Sequence, residues 1–159
     1  MTSPPPVPVS VREARDADLD AVGRLLYDFN REFDEPARRP AELAVRVREL
    51  LAGGDTGVVV AGDDPVGLAL MRFRLSLWER GLECYLAELY VVPSLRGHGI
   101  GRALMEAAMG LARARGADYM DLGTAETDVA ARNLYESLGF DNHQGKPGGP
   151  VNFYYERKL

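Results

Sequence analysis

The sequence lacks several features that mark large classes of protein. It has a single cysteine, Cys84, so no disulfide can form within the chain, which favours a reducing compartment and predicts a cytoplasmic protein. No apolar run approaches the roughly 18 residues that a membrane-spanning helix needs. Basic residues do not predominate, because 19 lysines and arginines stand against 24 aspartates and glutamates. The resulting net charge of −5 argues against general nucleic-acid binding.

What the sequence does contain is typical of a globular protein with one core. Its 159 residues are 46% apolar and 27% charged, with no repeats and no low-complexity segment beyond the first prolines. Residues 1–8 lack the basic and apolar regions of a secretory signal, and their prolines predict a flexible tail. Residues 9–159 have the length of a single domain, which we take as the prediction.

Hydrophobic periodicity predicts an α/β fold with a mixed, mostly antiparallel sheet flanked by helices. The early strands are joined by tight turns and should be antiparallel, whereas strands separated by a helix can be parallel. The predicted order is β-α-α-β-β-β-α-β-α-β, with one extra short strand near Phe140 as an option. The strands are predicted over 7–14, 57–61, 66–77, 82–92, 119–123 and 151–157, and the helices begin near residues 19, 40, 100 and 129.

The most informative segment is a glycine-rich turn between an apolar strand and a strongly periodic helix. It runs from Arg96 to Arg102, with glycines at positions 97, 99 and 101. Because glycine has no Cβ atom, consecutive N–H groups can point at one anion, and the following helix adds its positive N-terminal end. The two flanking arginines suit phosphate oxygens. The turn therefore predicts a phosphate site, with a tight loop that binds nothing as the alternative.

Two common nucleotide-binding motifs do not fit this turn. A dinucleotide fingerprint requires Gly-x-Gly-x-x-Gly, whereas the glycines here follow Gly-x-Gly-x-Gly. A P-loop requires Gly-Lys-Ser or Gly-Lys-Thr, and neither is present. The prediction is a pyrophosphate site of another kind.

Two segments resemble the signatures of the GNAT family of N-acetyltransferases. Residues 89–104, LYVVPSLRGHGIGRAL, are similar to the family's acetyl-CoA motif, Arg/Gln-x-x-Gly-x-Gly/Ala. Residues 131–140, ARNLYESLGF, are similar to the second signature, Ala-x-x-x-Tyr-x-x-x-Gly-Phe. The predicted order of elements is also that of the family, so the resemblance covers nearly the whole chain. It implies an enzyme that moves an acetyl group from acetyl-CoA to a primary amine of a small molecule or peptide, by direct attack and without a metal.

The resemblance also assigns residues to the coenzyme. In the family the pantothenate arm bonds to the backbone of the strand before the turn, as an added peptide strand would, and the pyrophosphate lies on the turn. The implied arm-binding residues are Leu89, Tyr90 and Val91. The implied pyrophosphate-binding residues are Arg96, Gly97, His98, Gly99, Ile100, Gly101 and Arg102, with His98 expected to offer only its backbone.

Two residues are candidates for proton transfer. Tyr135 takes the place of the family's usual general acid, which would protonate the departing CoA thiolate. The same side chain could simply fill the core on the apolar face of its helix. Glu88 is the candidate base, because an aliphatic amine with a pKa of about 10 must lose a proton before it attacks. A solvated strand carboxylate and a clamp for substrate charge are the alternatives for Glu88.

Two positions depart from the family pattern. Some relatives have a glutamate twelve residues before the tyrosine, where this sequence has Gly123, and neither Asp121 nor Glu126 matches that position. Relatives commonly carry a cofactor-binding asparagine seven residues before the tyrosine, where this sequence has Asp128. Aspartate keeps the acceptor oxygens and loses the amide donors. Asp128 could therefore contact the cofactor, but capping its own helix is the favoured role.

Three questions stay open at the level of sequence. The same fold could serve as an acyl-CoA sensor without catalysis, or as an interaction domain with a degenerate site. The acceptor is not specified, although aromatic and acidic residues at 27–35 would suit a cationic amine as well as they suit an ordinary amphipathic helix. Relatives often dimerise, and the aromatic run 153–155 could form such an interface or be half-buried on the core.

Overall fold

The computed structural model describes residues 8–159. Two short 3-10 turns, at Asp16–Asp18 and Pro93–Leu95, interrupt the regular elements. The strands are β1 (Val11–Glu13), β2 (Thr56–Ala61), β3 (Gly67–Leu75), β4 (Leu82–Val91) and β5 (Ala117–Leu122), and the helices are α1 (Leu19–Glu32), α2 (Pro40–Ala52), α3 (Ile100–Ala114) and α4 (Val129–Ser137).

The helices form where the sequence predicts them. In α1 the apolar residues recur every three or four positions and are buried, while the intervening charged residues are exposed. Pro40 opens α2, where its missing N–H costs no helical bond, and Gly53 follows the last helical residue. The predicted helix starts near residues 19, 40, 100 and 129 are confirmed.

The five strands form one sheet in the order β1-β2-β3-β4-β5. The first three neighbouring pairs are antiparallel. Strands β4 and β5 begin at the same edge, since the amide of Leu82 donates to the carbonyl of Gly116 at 3.1 Å. A Cβ atom on Gly81 would lie 2.1 Å from that carbonyl oxygen, so glycine permits this approach. The sheet is therefore mixed and mostly antiparallel, as predicted, with β4 and β5 running the same way.

Helices cover both faces of the sheet. Side chains of α1 and α2 pack on alternate residues of the central strands, among them Val58, Val60, Leu68 and Leu70, and enclose the main core. Helix α3 packs against the opposite face of β2, β3 and β4. No helix within residues 8–159 combines the length and apolar character required to cross a membrane.

Hydrogen bonds of the backbone and of Ser76 close the turn between β3 and β4. Two side chains of this turn are apolar. The amide of Ser76 donates to Gly81, and the Ser76 hydroxyl accepts from the amides of Trp78 at 3.2 Å and Glu79 at 2.9 Å. Trp78, the single tryptophan of the chain, is 89% exposed, and Leu77 is exposed beside it. The turn thus holds an indole ring in solvent at the end of the β3–β4 hairpin.

The described residues group into two compact units, one ending at Met120 and the other comprising Asp121–Leu159. The second unit contains α4 and a narrow loop. In that loop the amide of Gln144 donates to Pro150, and the amide of Asn152 donates to Asn142, both at 2.7 Å.

The strand predicted at the end of the chain is not formed. Residues 151–157 form no strand, apart from one isolated bridge between Val151 and His143, and the optional strand near Phe140 is not formed. Alternating aromatic residues favour a strand, but a strand also needs a hydrogen-bonding partner. Only the first two residues of the segment 151–157 are paired, both within the narrow loop. The first strand is shorter than the predicted 7–14, and residue 7 lies outside the described residues.

Candidate functional site

The glycine-rich turn connects the end of β4 to the start of α3. A 3-10 turn precedes it, in which the amide of Leu95 donates to the carbonyl of Val92 at 3.0 Å. Gly97 and Gly99 both have left-handed backbone angles, with φ of 79° and 86°, and Gly99 is the N-cap of α3. Residues with a side chain rarely adopt this conformation, asparagine and aspartate being the main exceptions, so glycine is the favoured residue at both positions.

Packing does not explain these two glycines. A Cβ atom added to Gly97 or Gly99 would meet no protein atom within 4 Å. By contrast, a Cβ atom on Gly23 would lie 2.3 Å from the carbonyl of Pro40, where helices pack closely. The space above Gly97 and Gly99 is open, which is what the approach of a bulky anion to the backbone requires.

The start of α3 supplies the attraction for such an anion. The first helical bond runs from Ala103 N to Gly99 O at 3.0 Å, so the amides of the preceding helical residues lie before the hydrogen-bonded ladder. The 15-residue helix adds its positive dipole end. Ile100 is 3% exposed with its side chain in the core, so only its backbone can serve a ligand. These groups fit a diphosphate.

Arg96 is already engaged in this structure. Its Nε donates to the carbonyl of Val91 at 2.9 Å, and its Nη2 donates to both carboxylate oxygens of Glu32 at 3.0 and 2.8 Å. Its guanidinium also lies 5.4 Å from the centre of the Tyr90 ring. Arg96 therefore connects the turn to the last residue of α1.

The other polar side chains of the turn differ in environment. The Nδ1 atom of His98 is buried and has no hydrogen-bond partner among the described residues. Arg102 is exposed on the first turn of α3. Gly101 lies within the same helical turn.

The strand before the turn offers backbone at its far end. Strand β4 has ten residues and β5 has six, and the two begin at the same edge. The last residues of β4, 89–91, therefore extend past the end of β5. Tyr90 is buried among the core side chains beneath α1.

Glu88 lies beside a break in the β3–β4 register. Leu70 is opposite Glu88 and Met71 is opposite Leu86, so Ala87 is the extra residue of a β-bulge. The Glu88 carboxyl is half-buried and has no hydrogen-bond or ion-pair partner within residues 8–159. Burial alone raises its pKa above the ordinary 4.5. Such a carboxylate is a stronger base than one in water.

In the second unit, Tyr135 lies in α4, and Asp128 is the residue directly before that helix. Tyr135 is 8% exposed, and its ring lies edge-on to Phe140 at 6.1 Å. Burial, and secondly the charge of Asp128, raise the pKa of Tyr135 to about 12. Asp128 caps its helix, because its Oδ1 accepts from the amide of Ala131 at 3.1 Å. The favoured role of Asp128 as a cap is thereby confirmed.

The positions compared with the family's glutamate lie on the surface of the second unit. Gly123, Asp121 and Glu126 are all exposed. His143 is bonded through Nδ1 to the carboxylate of Asp141, two residues away in the narrow loop. Within residues 8–159, no group of three histidine, cysteine, aspartate or glutamate side chains is arranged to hold a metal ion.

Comparison with known proteins decides the family. The model of the Acetyltransferase (GNAT) family matches residues 22–140, which include the turn, Glu88 and Tyr135. The chain belongs to this family. It is therefore an acyltransferase, and the resemblance found in the sequence is confirmed.

Individual GNAT relatives support the assignment. The chain is 27% identical to the thialysine N-epsilon-acetyltransferase of Bos taurus over 146 residues, which cover 82% of this chain and 83% of that protein. It is 30% identical to an N-acetyltransferase of Archaeoglobus fulgidus over 133 residues, 81% of this chain and 90% of that one. A crystal structure described as an acetyltransferase, from Arthrobacter sp. FB24, superposes with a TM-score of 0.84 at 42% identity, covering 94% and 96% of the two chains.

Two features of the candidate site were not found from the sequence. The bulge at Ala87 has no local signature, because it arises from how β3 pairs with β4. The contact between Glu32 and Arg96 joins residues 64 positions apart. An arginine next to a glycine turn gives no indication of which carboxylate it meets.

Proposed function

We propose that this GNAT protein transfers the acetyl group of acetyl-CoA to a primary amine of a small molecule or peptide, by direct attack. The observation that carries the proposal is the glycine turn, where left-handed glycines, open space and a helix N-terminus coincide. Acetyl-CoA supplies an acetyl group activated as a thioester. The protein supplies binding, orientation and proton transfer.

The coenzyme would bind along β4 and the turn. Its pantothenate arm would bond to the backbone of Leu89, Tyr90 and Val91, whose extension past β5 supports this role. Its diphosphate would bind to the backbone at 97–102 and to the arginines that flank it. Asp128 would contribute a further contact through the carboxylate oxygen that the cap leaves unused.

Glu88 would act as the general base. An acceptor ammonium must lose a proton before its nitrogen can attack, and Glu88 would take it directly or through a water molecule. The absence of an ion-pair partner among the described residues supports this role, because no arginine or lysine weakens the carboxylate as a base.

Tyr135 would act as the general acid. With a pKa of about 12 its phenol keeps its proton at any physiological pH, so the proton is present when sulfur departs. The carbon–nitrogen bond would form first, and the phenol would give its proton to the sulfur as the carbon–sulfur bond then breaks. The phenolate of Tyr135 would take the surplus proton of the new amide, and Glu88 would release its proton to water, which restores both side chains.

The acceptor is proposed to be cationic. The Bos taurus relative is named for acetylation at the ε-nitrogen of thialysine, which is a primary amine. In this chain, three carboxylates at the end of α1 and after it, Asp28, Asp34 and Glu35, are exposed and would favour a positively charged acceptor.

Calorimetry with acetyl-CoA, followed by a screen of amines for release of free thiol, tests the proposal. Asn tolerates left-handed angles, so Gly99→Asn should keep the fold while its side chain fills the open space. We expect this variant to bind acetyl-CoA at least about tenfold more weakly at nearly unchanged Tm. Gly110→Ala is the matched control, because its added methyl group also meets nothing within 4 Å. It should bind acetyl-CoA normally.

The result also separates the alternatives. Tight binding with no thiol release for any amine would favour an acyl-CoA sensor. No binding at all would favour an interaction domain.

We further propose a cytoplasmic location, one N-acetyltransferase domain over residues 9–159, no metal requirement and a homodimer. Support for a dimer comes from the aromatic run 153–155, whose rings are largely exposed instead of half-buried on the core. Light scattering on the full chain and on a Phe153→Ser, Tyr155→Ser variant tests this. A monomeric full chain would contradict it.

A further inference from the structure

Glu32 contacts the glycine turn through an ion pair with Arg96. It is the last residue of α1, and both of its carboxylate oxygens accept from Nη2 of Arg96, at 2.8 and 3.0 Å. Neither partner is fully exposed, because the side chains of Arg96 and Glu32 keep 44% and 29% of their accessible surface. This pair has a defined geometry that most surface ion pairs lack.

Aromatic rings hold both partners in place. The Arg96 guanidinium lies over the ring of Tyr90, which stacks on Phe29 with ring centres 5.2 Å apart. Phe29 in turn meets Phe33 edge-on at 5.4 Å. Glu32 lies on the same stretch of chain as these two phenylalanines, so its backbone is anchored to β4 through the stack.

The donors of Arg96 are only partly used. A guanidinium has five N–H groups, of which Nε uses one on Val91 and Nη2 directs one between the two carboxylate oxygens of Glu32. The Tyr90 hydroxyl also interacts with the Arg96 side chain. Within residues 8–159, Nη1 meets no carboxylate or carbonyl oxygen, so the guanidinium keeps donor capacity for an anionic ligand. An arginine held in this way loses little further freedom when it binds an anion.

We propose that Glu32 is a positioning residue for coenzyme binding, acting through Arg96. It fixes the guanidinium so that Nη1 is ready to donate to a diphosphate oxygen. This inference rests on the proposed function, since it requires acetyl-CoA to bind at the glycine turn.

The sign of one measurement separates this role from a simple charge effect. Acetyl-CoA is an anion, so the negative charge of Glu32 by itself repels it, and a carboxylate that competes for Arg96 would also weaken binding. In both of those cases Glu32→Gln would bind acetyl-CoA more tightly. If Glu32 positions Arg96, the same variant binds more weakly.

The experiment measures the Kd of acetyl-CoA by calorimetry for the wild type and for Glu32→Gln, Arg96→Gln, Arg96→Lys and the double variant Glu32→Gln, Arg96→Gln. We expect the Kd to rise about three- to fivefold in Glu32→Gln, as for the loss of one well-formed ion pair. Arg96→Lys should also bind acetyl-CoA more weakly, because the ammonium group of lysine lacks the planar set of donors that contacts both Val91 and Glu32. In the Arg96→Gln background, Glu32→Gln should have no further effect.

Two controls exclude a general structural effect. Asp20→Asn removes the same charge from the exposed first turn of α1, and its Kd should equal that of the wild type. Acetyl-pantetheine, which lacks the diphosphate, should give the same KM and kcat with Glu32→Gln as with the wild type.

Either a Kd that falls or stays constant in Glu32→Gln, or an effect that persists without Arg96, would overturn the inference. A raised KM for acetyl-pantetheine in Glu32→Gln would overturn it too. If the wild type fails to bind acetyl-CoA, the proposed function fails and this inference fails with it. A wild type that binds while Glu32→Gln is indistinguishable from it removes only the inference.

Discussion

Burial raises the pKa of both Glu88 and Tyr135, and the two proposed roles use that shift in opposite ways. The ionised form of Glu88 is disfavoured, which makes it a better proton acceptor. The neutral form of Tyr135 is favoured, which keeps its proton in place but makes it a weaker acid. Tyr135 is thus suited to give its proton only when negative charge has developed on sulfur.

Tyr135→Phe tests the acid directly. The variant should lower kcat by about 100-fold or more while the Kd of acetyl-CoA stays the same, since only the proton donor is lost. The Tyr135 hydroxyl bonds to no described residue, so the Tm should not fall. Tyr155→Phe, which alters an exposed ring, serves as the control. Full activity of Tyr135→Phe in a thiol-release assay would remove the tyrosine from the mechanism.

Glu88→Gln tests the base through the pH dependence of kcat/KM. In the wild type the rate should rise with pH as Glu88 ionises, along a limb that lies above pH 4.5 because burial raises the pKa. The variant should lose this limb and about 10- to 100-fold of its rate at neutral pH. Glu106→Gln, on the exposed side of α3, should leave the profile unchanged. A limb that survives in Glu88→Gln belongs to another group.

The role or conformation of a residue could be predicted where the residue type at that one position determines it. Asp128 caps α4 as its type and spacing indicate, and Gly97 and Gly99 adopt the left-handed angles that only glycine adopts freely. The partner of Arg96 could not be predicted, because it depends on where α1 ends in space. The roles of Glu88 and Tyr135 stay predictions.

At the scale of elements, β1 is joined to the start of α1 by a buried ion pair. Arg12 donates to Asp18 at 2.6 and 3.0 Å, and the Asp18 side chain is almost fully buried. Bonds from the Arg12 side chain and the Arg15 amide hold the pKa of Asp18 below the ordinary 3.8, against the opposing effect of burial. Because the pKa of Asp18 is lower in the folded protein than in the unfolded chain, the ionised carboxylate stabilises the fold at pH values above the unfolded-state pKa. This stabilisation is lost as the pH falls through the folded-state pKa.

Asp18→Asn should therefore lower the Tm at neutral pH, and its difference from the wild type should shrink as the pH falls below about 4. A chain of this size loses about 2 to 4 °C for each kcal/mol. Asp16→Asn is the control, because its pair with Arg48 is exposed and should contribute little. Thermal melts between about pH 3 and pH 7 give the answer. Parallel curves for Asp18→Asn and the wild type would mean that the pair does not couple to protonation.

Helices and hairpins were predictable because their signals are local. Pro40 and Gly53 mark the two ends of α2, and the apolar spacing within α1 marks its buried face, so each signal lies in or beside the helix it predicts. The strand predicted for segment 151–157 is wrong, because the alternation of residues is a local signal whereas a pairing strand has to come from elsewhere in the chain. Sequence periodicity states which residues could form a strand, and the rest of the chain decides whether they do.

At the scale of the whole molecule, the net charge of −5 would act on both proposed substrates. It would repel an anionic coenzyme, which under the proposed function is attracted locally at the turn, and it would draw in a cationic amine. Salt screens this field, with a Debye length of about 10 Å at 0.1 M. The charge therefore affects the rate of encounter more than the affinity of the bound complex.

A diamine and a monoamine of equal length provide the test. The ratio of their kcat/KM values should favour the diamine at about 20 mM salt and fall severalfold by about 300 mM, because the second charge is screened. An equal response of both amines to salt would show that the field of the protein does not guide the acceptor.

The exposed indole of Trp78 decides how unfolding can be observed. Because this ring is already hydrated in the folded chain, its fluorescence will resemble that of free tryptophan and will change little when the protein denatures. Circular dichroism therefore has to monitor the melts, while a blue shift in tryptophan emission becomes a specific signal that something has covered the end of the β3–β4 hairpin.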